Sequence, residues 1–289
     1  MAHVAIATCG GEAVDVEDTA LLETALAKRS LRSSLVPWDA EGVDWDAFDL
    51  VVVRSTWDYT ERVDDFLAWA RSVPRLANPA AVLAWNTDKR YLADLAAAGV
   101  PVIPTRFVDR VEDLVAPEAD QLVIKPSVGA GSMGAERFSA TDLPAARRHL
   151  AGLLARGATA MVQPYLDRVE DEAETGIIVI DGVVSHAIAK GAMLAVAELD
   201  RSGLFRAEAI EPRVPSAAEL AVAEAALAAA SDHLGLAAPL LYARVDLLPS
   251  EAGPVVIELE LTEPSLFLTT APEAADRLAE AIAAACTPC

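Results

Sequence analysis

Positive charge is scarce in this chain: 23 Lys and Arg against 44 Asp and Glu in 289 residues leave a formal net charge of −21. So acidic a surface excludes sequence-independent binding to nucleic acid or anionic lipid, both of which need a basic face. Lysine is scarcer still, with four residues (Lys28, Lys89, Lys125 and Lys190) beside 19 arginines. Where Arg is the default cation, a retained Lys points to a need for a compact, flexible ammonium. Long apolar runs are also missing. None approaches the roughly 20 residues of a membrane span, and the first residues lack the basic flank of a signal peptide, so they read as a strand. Three cysteines, Cys9, Cys286 and Cys289, offer neither a disulfide framework nor a metal-binding spacing. A reducing cytoplasm is the expected compartment, and the TPC ending reads as a frayed tail.

What is present alternates strand and helix. VAIAT, SSLVPW and DLVVVR are strand patterns, and DTALLETALAKRS, with Asp18 or Thr19 as cap, and ERVDDFLAWARSV are helical. These predict an open parallel α/β unit over residues 1–85. NTDKRYLADLAAAGVPVIPT predicts a helix capped by Asn86 or Thr87 and stopped by Gly99. A hairpin and helix follow, completing a central unit over 86–162. Residues 163–289 hold further strands, an Ala-rich helix, a hairpin and a last helix. The expected class is mixed α/β (α+β), with no repeats and no linker.

Within VIKPSVGAGSMGAERF, Gly129, Gly131 and Gly134 match the G-x-G-x-x-G spacing of dinucleotide sites. That motif requires a helix directly after it to receive the pyrophosphate, and AERFSA is too short and alternating to start one. A Walker A loop is excluded because its Lys follows the last Gly, whereas Lys125 precedes the first. The stretch is either a flexible hairpin tip or a flap able to fold over phosphates.

The hairpin at 241–261 carries the second feature. Strand alternation puts Arg244, Asp246, Glu258 and Glu260 on one face, and Ala243, Val245, Leu247, Val255, Ile257, Leu259 and Leu261 on the other. With Asp246 opposite Glu258, three carboxylates would lie within roughly 5–7 Å of one another. Either a hard divalent cation joins them, or Arg244 neutralises two acids in a salt-bridge ladder.

The ordered set of Lys89, Lys125 in VIKPSVGAGSMG, MVQPYLDRVE and D…E-x-E resembles the ATP-grasp superfamily over residues 80–270. The resemblance implies three subdomains clamping ATP with Mg²⁺. It implies Lys89 and Lys125 on the phosphates, the lid from Ser127 through Gly131 and Ser132 to Gly134 above them, and Gln163 at the adenine amino group. It further implies the backbone of Tyr165 and Leu166 on the ring, Glu170 at the ribose, and Asp246, Glu258 and Glu260 on the metal. Glu260 stands where that family usually has Asn, which adds a charge to the metal set.

The same resemblance implies a reaction: phosphorylation of a small amino-acid carboxylate, then attack by nitrogen on the acyl phosphate. Lys125, Lys190 and Arg244 would offset the developing charge. RSTWDYT ends a strand where open α/β sheets place ligands. There Arg54 would meet a carboxylate, Asp58 an amino group, and Trp57 and Tyr59 would wall the cavity. Its bland alternative is a capping turn with inward aromatics. His186, in SHAIAK, and Glu263 and Ser265, in ELELTEPSLF, complete the substrate set. Together these segments resemble the cyclo-ligases of the superfamily, which implies ring closure of O-ureido-D-serine by its own ureido nitrogen. The alternatives are an intermolecular carboxylate-amine ligase and a non-catalytic ATP sensor. A homo-oligomer is expected.

Overall fold

The structure is a computed structural model and describes residues 1–10, 16–192 and 209–287; Cys289 lies outside them. Strands β1 (His3–Thr8), β2 (Arg32–Pro37), β3 (Leu50–Val53) and β4 (Leu76–Ala77) form a parallel sheet in the order β2-β1-β3-β4. The two inner strands are apolar along their length because both faces are covered. On one face Val4, Ile6 and Val52 pack with helix α1 (Val16–Lys28) and with α8 (Glu273–Ala285) from the far end of the chain. On the other, Ala5, Val51 and Val53 meet Trp38 and, from α2 (Val63–Ser72), Phe66 and Trp69. Asp18 is not the expected cap. It lies inside the first turn of α1 and accepts from the Thr269 backbone N at 3.1 Å, tying α1 to the turn before α8.

A short helix, α3 (Ala80–Asn86), precedes α4 (Tyr91–Ala97), so Asn86 ends one helix and does not cap the next. Its amide reaches the opposite unit, donating to Leu259 O at 2.6 Å and accepting from Leu261 N at 2.7 Å. Strands β5 (Arg106–Val108), β6 (Gln121–Pro126), β7 (Glu136–Ser139) and β8 (Ala160–Pro164) make an antiparallel sheet ordered β5-β8-β6-β7. Helix α5 (Leu143–Ala155), capped by Asp142 with Pro144 in its first turn, covers one face. Strand β8 crosses the division expected after residue 162.

The third sheet runs β11-β10-β9-β12-β13, all antiparallel. One-turn helix α6 (Val169–Glu172) leads into β9 (Glu174–Ile180), followed by β10 (Val183–Lys190), β11 (Ile210–Arg213), helix α7 (Ala217–Leu234), β12 (Tyr242–Ser250) and β13 (Gly253–Glu260). Ser216 and Glu219 form a reciprocal capping box at the start of α7. The alternation expected in the β12–β13 hairpin is broken by a bulge after Asp246. As a result Val256, not Ile257, joins Leu259 and Leu261 in the core, while Val255 and Ile257 pack with Ile103 and Leu248. An extra residue on one strand swaps the face of all that follow.

Buried hydrogen bonds weld the first sheet to the third. Asn78 Nδ2 donates to Tyr242 O at 2.9 Å and Leu261 O at 2.7 Å, and its Oδ1 accepts from Leu241 N at 2.9 Å. The Tyr242 hydroxyl lies 2.8 Å from Val53 O and 3.0 Å from Thr262 O.

Candidate active site

The three units converge on a cavity of about 330 Å³. Trp57 and Tyr59 wall it from the 3-10 turn after β3, and the β6–β7 loop covers it with Gly129, Ala130, Gly131, Ser132 and Met133. Lys89, Lys125, Lys190, Arg244, Glu258, Glu260, Glu263 and Ser265 supply the polar lining. Gly131, Ser132 and Gly134 have φ of +58°, +58° and +73°. The loop is thus a run of left-handed turns between two antiparallel strands, with no helix after it. Ser127 and Gly134 are outside the lining. Ser127 is buried and its backbone bonds Thr159 and Lys89, while Gly134 packs near Pro126 and Leu153.

The carboxylate hairpin has the expected register, Arg244 opposite Glu260 and Asp246 opposite Glu258. Asp246, Glu258 and Glu260 are each held by a cation. Arg244 donates to Asp246 through Nε at 2.9 Å and Nη2 at 3.0 Å, and Nη2 also meets Glu260. Lys190 Nζ lies 2.8 Å from Asp246 and bonds Glu174. Lys89 Nζ lies 2.9 Å from Glu258 and 2.7 Å from Gly129 O, so it ties the acid to the glycine loop. The ladder alternative therefore describes these contacts, and among the described residues no three acidic, His or Cys groups stand ready to hold a metal. Asp246 sits beneath the lining, only 1% exposed.

Crowding sets the protonation of these groups. Burial would raise Asp246, but Arg244 and Lys190 outweigh it and hold it down at about 2. Glu258 is likewise lowered, with Lys89 and Lys125 overriding burial. Burial pushes Glu260 up to about 8; Arg244 opposes the rise, and Glu258 and Asp246 reinforce it. Burial pushes Glu263 up to about 7. The Lys125 ammonium is lowered, chiefly by burial, and among the described residues no carboxylate forms an ion pair with it.

A narrower cleft of about 110 Å³ opens off the cavity, sharing Lys125, Ser132, Lys190 and Glu258 with it. Ile103, Val123, Leu248 and Ile257 make it apolar, and Gln163, Tyr165 and Leu166 line its edge. Gln163 Nε2 donates to Thr105 Oγ1 at 2.9 Å. Such a slot, apolar at one end and cationic at the other, matches a flat ring carrying phosphates. Glu170 is outside this lining, bound by Arg137 at 2.6 Å and by the Tyr165 hydroxyl at 2.9 Å. Glu174 lines the cleft in its place, a residue the sequence reading missed. Its register partner across β9–β10 is Lys190, a signal available from hairpin counting alone.

Three of the expected substrate contacts point elsewhere. Arg54 is buried, donating to Pro264 O at 2.9 Å with its guanidinium over the Tyr242 ring. Asp58 accepts from Trp38 Nε1 at 2.9 Å and from Arg62 at 3.2 Å. His186 donates through Nε2 to Leu266 O at 2.8 Å and lines a separate groove beside α7. Phe267, not foreseen, does line the cavity, at φ +49° with its ring 5.3 Å from the Arg244 guanidinium.

Residues 4–78 match the family described as the N-terminal domain of the D-cycloserine synthetase DcsG. The chain is 42% identical to the cycloserine biosynthesis protein DcsG of Streptomyces lavendulae, across 93% of this chain and 94% of that protein. It resembles the crystal structure of D-cycloserine synthetase DcsG with a TM-score of 0.88 at 39% identity, covering 99% of this chain and 100% of the other. The D-alanine–D-alanine ligase of Bacillus anthracis, solved in complex with ATP, shares the fold at a TM-score of 0.66 and 16% identity, over 99% and 97% of the two chains.

Proposed function

This chain belongs to the D-cycloserine synthetase family of ATP-grasp ligases, and on that premise we propose that it activates the carboxylate of O-ureido-D-serine with ATP and closes it to D-cycloserine. The observation that carries the proposal is Lys125, a part-buried ammonium in no ion pair among the described residues, where an apolar slot meets a small cation-lined cavity. The slot takes the adenine, with Gln163 and the Tyr165–Leu166 backbone along its edge. Glu174, which lines the slot, serves the ribose, with Glu170 beside it at the Tyr165 hydroxyl. Lys89 and Lys125 hold the phosphates, while Lys190 and Arg244 offset charge on the transferred phosphoryl group and on the oxyanion of the attack. A cavity of about 330 Å³ has room for one small amino-acid substrate.

The donor set fits Mg²⁺. Glu258 and Glu260 present hard oxygens to the cavity, and burial with mutual repulsion leaves Glu260 reluctant to ionise until a further cation arrives. Asp246 joins the set only if Arg244 and Lys190 turn from it toward phosphate. When bound, the ion neutralises phosphate charge. Closure of the β6–β7 loop keeps water from the acyl phosphate.

The test is ADP release by the purified chain with ATP and Mg²⁺ across candidate acids. Turnover with O-ureido-D-serine alone, one ADP per ring, is the expected result. A strict need for an added amine would mark an intermolecular ligase, and ATP binding with no ADP from any acid would mark a sensor.

A further inference from the structure

Glu263 differs from the other acids of the cavity. Asp246, Glu258 and Glu260 are each in an ion pair, with Lys190 and Arg244, with Lys89, and with Arg244 respectively. Glu263 forms none among the described residues, although it is only 8% exposed and lines the cavity. Its near neighbour is the Tyr59 hydroxyl, within hydrogen-bonding reach of the carboxyl. The backbone that carries it is fixed from three directions. Trp57 Nε1 donates to Glu263 O at 3.3 Å, Arg54 Nη1 to Pro264 O at 2.9 Å and Arg244 Nη1 to Ser265 O at 2.9 Å.

Ring closure requires a proton acceptor. The attacking nitrogen carries a hydrogen. As its bond to the carbonyl carbon forms, the carbon–oxygen bond to phosphate breaks, phosphate leaves with the electron pair, and the proton must go to a base; the ring nitrogen still bears the carbamoyl group, which water then removes as carbamate to give the free ring. The lysines and Arg244 are donors, and Asp246, Glu258 and Glu260 are each engaged by one of these cations.

We propose that Glu263 is the general base of ring closure, receiving the proton of the attacking nitrogen, and that Tyr59 is its positioning residue. This rests on the ligase reading above. The groups facing Glu263 are Tyr59 from the first unit, Lys89 from the α3–α4 connection, and Glu258 and Arg244 from the hairpin. Burial outweighs the two cations and leaves the carboxyl at about 7. A base in that range is ionised in a useful fraction near neutrality and still strong enough to take a proton.

Hydroxylamine separates the two half-reactions, because it traps an acyl phosphate as hydroxamate without help from the ureido nitrogen. With ATP, Mg²⁺ and O-ureido-D-serine, Glu263→Gln should lose ring formation by roughly 100-fold or more. Its ratio of ring to hydroxamate should fall by about tenfold or more, whatever loss in substrate binding the two products share, as expected for loss of the proton-transfer step. Tyr59→Phe removes a donor that favours the ionised carboxylate, so the rising limb of its kcat–pH profile should move to higher pH with hydroxamate formation intact. Equal loss of ring and hydroxamate in Glu263→Gln would overturn the proposal in favour of a role in binding or activation. So would ring formation near the parent rate, or an unmoved pH profile in Tyr59→Phe. No hydroxamate from the parent protein would remove the ligase reading itself, and this proposal with it.

Discussion

Two lysines of the cavity differ in what their removal should do. Lys190 stands between Asp246 and Glu174, with its side chain 5% exposed. Lys190→Met would remove the cation that Asp246 and Glu174 share, leaving Asp246 to Arg244 alone, a loss of up to about 3–5 kcal/mol. Lys125 has no such partner among the described residues, and burial already disfavours its charge. Lys125→Met should therefore leave urea stability equal or higher while the KM for ATP rises tenfold or more, an expectation for loss of a charge-assisted phosphate contact. A less stable Lys125→Met protein, or an unchanged KM, would sink that reading. Side-chain direction at this scale was only partly legible in the sequence. Period-two alternation put Arg244, Asp246, Glu258 and Glu260 together correctly, because a strand leaves each side chain two faces to choose from. Arg54, Asp58 and His186 sit in short turns or at partners distant in sequence, such as Pro264 O and Leu266 O. No local period points to those contacts.

Among the elements, the glycine hairpin and the carboxylate hairpin were visible from their flanking strands, with a helix, α5, after the first. The bulge after Asp246 was not, since an unpaired residue leaves no mark in a pattern of apolar residues that is apolar on both sides of it. Nor was the role of Asn78, whose φ of +35° turns the chain out of β4 and aims its amide at β12 and at Leu261 O. Asn78→Ala would leave Tyr242 O, Leu261 O and Leu241 N short of a partner between two sheets. The expected cost is at least about 3 kcal/mol, from roughly 1–3 for each of the three buried groups left unmatched. Urea unfolding measures it, and a loss under about 0.5 kcal/mol would mean that these sheets are held by apolar packing alone.

For the whole molecule, the consequence of crowding is a stability that depends on pH in an unusual direction. Glu263 at about 7 and Glu260 at about 8 keep their protons in the folded chain well above the ordinary value of 4.5. Between those limits the folded state binds more protons than the unfolded, so their contribution declines as pH rises from about 4.5 to about 8. Asp246 at about 2 and the lowered Glu258 act oppositely, contributing above their ordinary range and losing that contribution in acid. Urea midpoints of the ligand-free protein at pH 5 and pH 8 should therefore draw closer together in Glu263→Gln than in the parent. Identical slopes for the two proteins would refute the raised carboxyl.

The bonds from Trp57 and Arg54 to Glu263 O and Pro264 O join stretches more than 200 residues apart in sequence. Residues 54–60 and 262–267 consequently form one wall of the cavity from two ends of the chain. A chimera of two relatives whose crossover falls between them would pair one parent's wall with the other parent's loop. Redesign for a different amino acid would succeed by transplanting both segments together, and a substitution in either would show its effect only against the background of the other.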